Sequence, residues 1–307
     1  MIGKRVLVCD EIHEAGISLL KREGFEVHVK LNLTPDQLRE EVKNYDVVVV
    51  RSRTVLSEDI IRSGERLKVI CRAGVGLDNI DLEAAKSQGI KVLSTPEAPT
   101  SSVAELTIGL MIALARGITQ ADVFVKKGEW KKKELVGFLL KGKTIGIVGF
   151  GRIGKSVSKI AKAIGMNILV TDPLPDEKVL REIGGKAVYL NELLETSDVI
   201  TLHVPLTSKT WHLIDEEALK KMKRGALVIN TSRGGVVDEK ALLKALKEGW
   251  IAGAALDVYE VEPPTSLELV RMPNVVCTPH IGAQTYEAQK LASVMIAEKL
   301  IKSWRTL

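Results

Sequence analysis

Apolar residues fall along this chain in short, β-branched runs, separated by stretches in which they return every third or fourth position. In the first part the runs cover 5–9, 25–29, 46–50, 67–71 and 91–93. In the second they cover 144–148, 167–170, 187–189, 199–202, 226–229, 253–256 and 275–277. Runs that are apolar throughout, rather than alternating, belong to strands covered on both faces, as in parallel sheets. The intervening stretches predict helices, among them 34–43, with Thr34 as N-cap and Pro35 in the first turn, and 82–88. A joint rich in proline and serine, Ser94-Thr-Pro-Glu-Ala-Pro99, precedes a long apolar helix over 102–119. Ser101 or Ser102 could cap that helix, with Glu105 completing a capping box to Ser102, and its apolar face over 103–114 offers an oligomer interface. A last helix spans 285–304. Strand and helix alternate throughout, which predicts an α/β chain of two doubly wound parallel-sheet domains separated by a cleft.

One run leads directly into a glycine turn. The strand 144–148 is followed by Gly149-Phe-Gly151-Arg-Ile-Gly154, a predicted helix, a second strand and then Asp172, 23 residues beyond Gly149 (172 − 149). In such a turn the glycines serve a tight bend, close backbone approach to a pyrophosphate, and close packing of helix on strand. The helix N-terminus presents N–H groups and partial positive charge to the phosphates. A carboxylate about 20 residues on suits the adenosine ribose, and it disfavours a 2′-phosphate. The pattern predicts a Rossmann domain that binds NAD in preference to NADP.

Composition narrows the class further. At 307 residues, 45% hydrophobic and 27% charged, the chain has the size of about two globular domains. Cys9, Cys71 and Cys277 lie far apart, each within or at the end of an apolar run, and read as small buried hydrophobes in a reducing compartment. A strand begins almost at the N-terminus, without a signal peptide, and no apolar run approaches the ~18 residues needed to span a bilayer, so a cytoplasmic location is expected. The net charge of +5 is dispersed. Its one basic run, Trp130-Lys-Lys-Lys133, lacks interleaved aromatics and reads as a solvated loop, so neither nucleic acid nor membrane is an expected partner. No set of residues has the spacing of a metal site.

Ligands of open α/β sheets bind beyond the carboxyl ends of the strands. Three residues meet that condition: Arg233 in Asn230-Thr-Ser-Arg-Gly-Gly235, Glu262 in Asp257-Val-Tyr-Glu-Val-Glu-Pro263, and His280 in Thr278-Pro-His-Ile-Gly282. Arg offers a planar fork to a carboxylate and polarises a carbonyl. His exchanges a proton near neutral pH, and a carboxylate on its other nitrogen fixes its tautomer. Together they suit a small anionic 2-hydroxy or 2-oxo acid. Gly234 and Gly235 permit close approach beside Arg233. His13, His28 and His212 read as structural, and His203, just after a strand, reads as a wall of the cofactor pocket.

These motifs, with Leu202-His-Val-Pro-Leu206, occur in the order and spacing of the D-isomer-specific 2-hydroxyacid dehydrogenases, a family the whole chain resembles. Within it the resemblance is strongest to the branch that oxidises D-3-phosphoglycerate to 3-phosphohydroxypyruvate for serine biosynthesis. Reduction of glyoxylate, hydroxypyruvate or another small 2-oxo acid is the alternative, and an NAD-sensing binding protein the alternative of a different class. The resemblance implies a flavodoxin-like substrate domain over 1–98 plus 286–307 and an NAD-binding domain over 99–285. It implies that Arg233 binds carboxylate and carbonyl, His280 is the acid/base and Glu262 its partner. It assigns Gly149, Gly151, Arg152, Ile153, Gly154, Asp172, His203, Val204, Pro205, Thr210, Thr231, Ser232, Gly282 and Val103 to the cofactor, and Asp257 to the nicotinamide carboxamide. Ala104 stands with Val103 at the start of the long helix. Substrate contacts are implied at Arg51, Ser52, Arg53, Gly74, Val75 and Gly76. The family implies a homodimer or homotetramer, in which Trp130 and Lys132 could reach a neighbour's substrate. The chain as given leaves no room for the C-terminal regulatory domain of many phosphoglycerate-oxidising members, so serine feedback through such a domain is not expected.

Overall fold

The computed structural model describes residues 4–306. Its strands are β1 (Arg5–Val8), β2 (Glu26–Val29), β3 (Val47–Val50), β4 (Val69–Arg72), β5 (Lys91–Ser94), β6 (Thr144–Val148), β7 (Asn167–Thr171), β8 (Lys186–Ala187), β9 (Val199–Leu202), β10 (Leu227–Asn230), β11 (Gly253–Leu256) and β12 (Val275–Cys277). Its helices are α1 (Glu14–Arg22), α2 (Pro35–Val42), α3 (Glu58–Ser63), α4 (Leu82–Ser87), α5 (Thr100–Arg116), α6 (Ile118–Lys126), α7 (Arg152–Ile164), α8 (Glu177–Ile183), α9 (Leu190–Thr196), α10 (Glu216–Lys221), α11 (Glu239–Lys247), α12 (Leu267–Val270) and α13 (Tyr286–Trp304). The chain divides into two compact units, one running up to Thr100 and resuming at Ala283, the other comprising Ser101–Gly282.

The first unit holds a five-stranded parallel sheet in the order β2-β1-β3-β4-β5. Successive side chains of a strand point to opposite faces. Leu7, Val48 and Val50 accordingly enter the core under α2, α3 and α4, while Val6, Val8, Val47 and Val49 enter the core that α13 covers. Each such fully buried side chain contributes about 1.5–3 kcal/mol. α13 packs on α1, where Gly16 lies so close to Ser293 that a Cβ would sit 2.3 Å from its carbonyl oxygen. Thr34 caps α2 through a capping box with Gln37, and Thr285 caps α13.

The second unit holds a seven-stranded parallel sheet ordered β12-β11-β10-β9-β6-β7-β8. Renumbered from β6, the first six strands follow the Rossmann order 3-2-1-4-5-6, extended by one edge strand. One face packs on α5, α7 and α8 and the other on α9, α10, α11 and α12. Gly146 in β6 lets the second layer close: a Cβ there would lie 2.5 Å from Leu193 of α9.

Five local expectations are corrected. The helix expected over 102–119 starts at Thr100 and breaks at Gly117, which takes φ 61° and turns the chain into α6. Ser102 is not its cap, because the Ser102 hydroxyl donates instead to the Gly282 carbonyl at 2.6 Å. The apolar face over 103–114 is not left over for a partner: Val103, Ala104, Leu110 and Met111 are buried within the unit. Cys277 is exposed rather than buried, since β12 is an edge strand, whereas Cys9 and Cys71 are buried. Burial pushes the Cys9 thiol up to about 12, with the neighbouring Asp10 charge adding to it. The edge strand expected over 187–189 is only Lys186–Ala187, because Tyr189 is already the N-cap of α9.

Candidate active site

The strand order reverses between β6 and β9, and open sheets receive ligands beyond the strand ends at such a reversal. The glycine turn leaves β6 there. Gly149 adopts φ +93°, and a Cβ on it would lie 2.6 Å from the His203 carbonyl at the end of β9. At Gly154 a Cβ would lie 2.1 Å from the Gly149 carbonyl, so this glycine lets α7 seat on the turn. Gly151, the residue before α7, has no protein atom within 4 Å of its Cβ position. Two glycines are thus demanded by the protein's own packing, and the third faces open space at a helix N-terminus, which fits a pyrophosphate. Asp172 ends the next strand segment and accepts the N–H groups of Phe150 (2.7 Å) and Leu174 (2.9 Å). Its carboxylate thus steadies the turn.

The other residues assigned to the cofactor lie around this edge, and most also serve the protein. His203 bonds Thr201 at 3.0 Å, and its Nδ1 is sealed from solvent without a partner among the described residues. Burial lowers the His203 imidazole to about 3, so it is neutral at physiological pH. Val204 packs on the core beside Gly149. Thr210 donates to the Pro205 carbonyl at 2.6 Å, closing that turn. The Thr231 hydroxyl meets that of Thr107 on α5 at 2.9 Å, and Ser232 bonds Asn230 at 2.9 Å. Val103 lies against Gly282, where a Cβ would be 3.2 Å away. Arg152 is exposed at the start of α7, and Ile153 behind it packs partly on the core.

The chemistry-bearing side chains follow β10, β11 and β12. Arg233 follows β10, and one of its terminal nitrogens donates to the Ser232 carbonyl at 2.7 Å. Glu262 follows β11, in a segment where the Glu262–Pro263 peptide is cis. His280 follows β12 and takes the left-handed conformation, φ 53°, at a cost of roughly 1–2 kcal/mol. Its Nδ1 lies 2.8 Å from Glu262 Oε2. With Nδ1–H donating to the carboxylate, Nε2 is the nitrogen left to exchange a proton. Burial raises the Glu262 carboxyl, but the hydrogen bond and charge of His280, the Tyr259 N–H and the charge of Arg233 outweigh it and hold the carboxyl below its ordinary value. The strand ends therefore bring Glu262 and His280 into contact and place Arg233 within their electrostatic reach.

Asp257 organises this group from beneath. It is 1% exposed, and its carboxylate accepts Thr278 Oγ1 at 2.6 Å, Ile281 N at 2.8 Å and Gly282 N at 2.9 Å. Three donors from the turn that carries His280 thus converge on one carboxylate. Tyr259 donates to the Thr278 carbonyl at 3.0 Å. Neither this fastening nor Ser102 was visible in the sequence motifs, although Tyr259 and Asp257 lie inside one of them. The approach expected at Gly234 and Gly235 is made by the protein itself. A Cβ on Gly234 would strike the Tyr259 carbonyl carbon at 1.8 Å, and one on Gly235 would strike the Trp211 ring at 2.5 Å.

In the first unit, Arg51, Ser52 and Arg53 follow β3, beside β1, at that sheet's own reversal of strand order. Asp10, 3% exposed, accepts Arg51 N at 2.6 Å, Thr54 Oγ1 at 2.8 Å and Arg53 Nε at 3.3 Å. Arg53 is thus oriented by a buried carboxylate while its side chain remains 60% exposed. Gly74 takes φ +152°, and the Arg72 guanidinium lies beside it, 1.8 Å from where a Cβ would be. Val75 and Gly76 follow in the same loop, with Val75 exposed.

A Rossmann sheet with this turn, and an Arg, a Glu and a His at its strand ends, defines a dinucleotide-binding unit equipped for acid–base chemistry. Residues 108–282 match the family described as D-isomer specific 2-hydroxyacid dehydrogenase, NAD binding domain. The chain is 51% identical to a D-3-phosphoglycerate dehydrogenase of Methanocaldococcus jannaschii, over 98% of this chain and 57% of that one. It is 48% identical to a hydroxypyruvate reductase of Thermotoga maritima, over 98% of this chain and 99% of that one. It superposes on the crystal structure of the TT0316 protein from Thermus thermophilus with a TM-score of 0.91 and 35% identity, covering 98% and 97% of the two chains. The chain belongs to the D-isomer-specific 2-hydroxyacid dehydrogenase family, and its cofactor is NAD. It spans a little over half the length of the phosphoglycerate dehydrogenases of M. jannaschii and Archaeoglobus fulgidus.

Proposed function

We propose that this chain oxidises D-3-phosphoglycerate to 3-phosphohydroxypyruvate. The observation that carries the reading is the 2.8 Å contact between His280 Nδ1 and Glu262 Oε2, made at the strand ends of a Rossmann sheet. NAD, when bound, supplies the acceptor for the hydride leaving C2. His280 Nε2 takes the proton of the C2 hydroxyl, and Nδ1–H remains bonded to Glu262, which stabilises the ring once it is charged. Arg233 binds the substrate carboxylate and steadies the oxygen at C2 as it becomes a carbonyl. In the reverse direction protonated His280 returns its proton to that oxygen. Asp257, whose carboxylate already holds three protein donors, is assigned to the nicotinamide carboxamide, which it would meet when NAD is bound.

The second anionic group of the substrate is assigned to Arg51 and Arg53, with Ser52 and the backbone of Gly74, Val75 and Gly76 completing the substrate contacts. Support for a doubly charged substrate is the orientation of Arg53 by Asp10 and by Asn32. Reduction of hydroxypyruvate or glyoxylate is the second reading, favoured by the full-length match to a hydroxypyruvate reductase. Absorbance of reduced nicotinamide separates them. The proposal expects, with NADH, a higher kcat/KM for 3-phosphohydroxypyruvate than for hydroxypyruvate or glyoxylate, and the opposite order refutes it. A side-chain set complete for catalysis supports an enzyme over a sensing protein.

We also assign a second copy of this chain as its partner. α6 buries none of its residues, and Val125, Trp130, Val136 and Leu139 around it are 58%, 83%, 87% and 73% exposed. They border an open groove of ≈ 660 Å³, and a grouped set of exposed apolar side chains of this kind suits a protein–protein contact. No single helix among the described residues is long and apolar enough to cross a membrane. Three unpaired cysteines support a reducing compartment such as the cytoplasm.

A further inference from the structure

His212 lies outside every motif described above, yet it joins two of them. It sits in the loop before α10, and its backbone N–H donates to the Gly235 carbonyl at 2.8 Å. Two residues on, Ile214 pairs in parallel with Val237, with Ile214 N bonded to Val236 O and Asp238 N bonded to Ile214 O, both at 3.0 Å. The His212 segment is therefore laced to the loop that starts at Arg233. The imidazole reaches outward from this lacing. Its Nε2 lies 3.1 Å from Glu260 Oε1, and its Nδ1 lies 3.7 Å from Asp238 Oδ2. Glu260 is two residues from Glu262, and Asp238 is the N-cap of α11.

The carboxylates are themselves fixed. Glu260 Oε1 accepts the Glu239 N–H at 3.0 Å, and Glu239 Oε1 accepts the Glu260 N–H at 2.8 Å. Asp238 Oδ1 accepts Lys240 N and Ala241 N. The Trp211 ring stacks on the imidazole, with centroids 4.5 Å apart and planes at 20°, and also lies against Gly235. Asp238, Glu260 and Trp211 thus meet the ring, and Glu239 fixes Glu260 behind it. Among the described residues, His212, Asp238 and Glu260 are the one set grouped closely enough to suggest a metal ion. The imidazole is, however, already committed through Nε2 to a hydrogen bond with Glu260, a link between the two segments that stands without an ion.

We infer that His212 is a positioning residue: its segment is laced by backbone to the Arg233 loop and its imidazole is hydrogen-bonded to Glu260, so that it bridges the two segments and holds the Arg233 loop in register with the Glu262 segment, and through Glu262 with His280. The inference rests on the reading of Arg233, Glu262 and His280 given above. The backbone at Gly234 and Tyr259 already touches, and the bridge closes the same two segments at a second point, which fixes their relative rotation. Rate depends steeply on that register, because a misplacement of about 1 Å in a reacting group can cost on the order of 100-fold.

Three variants test it. His212→Asn suits the residue's left-handed backbone (φ 49°) but is too short to reach Glu260. Glu260→Gln keeps the shape and the acceptor for Glu239 N–H while removing the charge. His212→Gln can still donate to Glu260. The readouts are kcat, KM for NAD, and the ring 15N signals of His280 in the protein without substrate. We expect His212→Asn to lower kcat by roughly 10- to 100-fold with KM for NAD unchanged and the His280 signals displaced. Glu260→Gln should do so less, and His212→Gln should recover part of the loss. Folded His212→Asn and Glu260→Gln proteins with wild-type kcat and wild-type His280 signals overturn the inference. So does stoichiometric zinc held by the wild type and lost in His212→Asn, which would make the cluster a metal site. The ring signals need no turnover, so a wild type inactive on every 2-hydroxy acid would refute the proposed reaction while the bridge is still decided by NMR.

Discussion

The buried carboxylate of Asp257 accepts the backbone N–H of Gly282 at 2.9 Å, and this bond anchors the far end of the turn that presents His280. With Thr278 and Ile281 bound to the same carboxylate, the left-handed His280 backbone is held from both sides. Asp257→Ala leaves these donors without their acceptor and should destabilise the protein by about 3 kcal/mol. Asp257→Asn, which keeps one acceptor oxygen, should cost less. Chemical denaturation of both variants checks the order, and equal stability of Asp257→Ala and wild type would show that the turn does not depend on this carboxylate.

His280→Ala should lower kcat by on the order of 10²- to 10⁴-fold, the usual contribution of a positioned acid/base, while NAD affinity stays near wild type. Arg233→Lys should lose activity as well, because a point charge cannot replace a two-pronged donor. Steady-state kinetics with parallel NAD titrations separate these effects from a loss of cofactor binding.

The glycines of the turn should fail in different ways. Gly154→Ala places a methyl group 2.1 Å from the Gly149 carbonyl and should lower the Tm and abolish NAD binding together. Gly151→Ala meets no protein atom, so its Tm should be unchanged and only NAD affinity should fall. Calorimetric titration beside thermal melts reads both. A Gly151→Ala protein with full NAD affinity would remove that residue from the pyrophosphate site.

Much of this site could be read from residue order. Short apolar runs marked the strand ends, and the strand-end rule then selected Arg233, Glu262 and His280 from a chain with 44 basic and 39 acidic residues and five histidines. What could not be read depends on groups that meet only after folding. Gly234 and Gly235 look like ligand clearance in sequence, yet they are clearance for Tyr259 and Trp211. Ser102 looks like a helix cap, yet its hydroxyl is bonded to a residue 180 positions away. Gly117 gives no sign of ending a helix, since a glycine within an apolar helical pattern costs only about 1 kcal/mol. The edge strands β8 and β12 lack a second neighbour, which is why the first was misjudged in length and the second in the burial of Cys277.

Acid should weaken the unliganded protein through His203. Its folded imidazole is depressed to about 3 from an ordinary 6.5, so the unfolded chain binds the extra proton first. The stability it contributes is complete above pH 6.5 and falls as pH drops toward 3, by about 1.4 kcal/mol per unit. Glu262, also depressed, acts in the same sense at lower pH: its contribution is present above 4.5 and is lost as pH falls through its folded value. His203→Gln should flatten the decline between pH 6.5 and 4.5 in denaturation curves. An unchanged slope would show that the ring is protonated in the folded state.

The central claim is that His280, held by Glu262, moves the proton that accompanies hydride transfer to NAD. Stopped-flow absorbance of reduced nicotinamide, on mixing NAD and D-3-phosphoglycerate with wild type, His280→Ala and Glu262→Gln, measures it most directly. The account predicts rapid reduction by wild type, slower reduction by Glu262→Gln and almost none by His280→Ala at saturating NAD. Reduction by His280→Ala at the wild-type rate would contradict it.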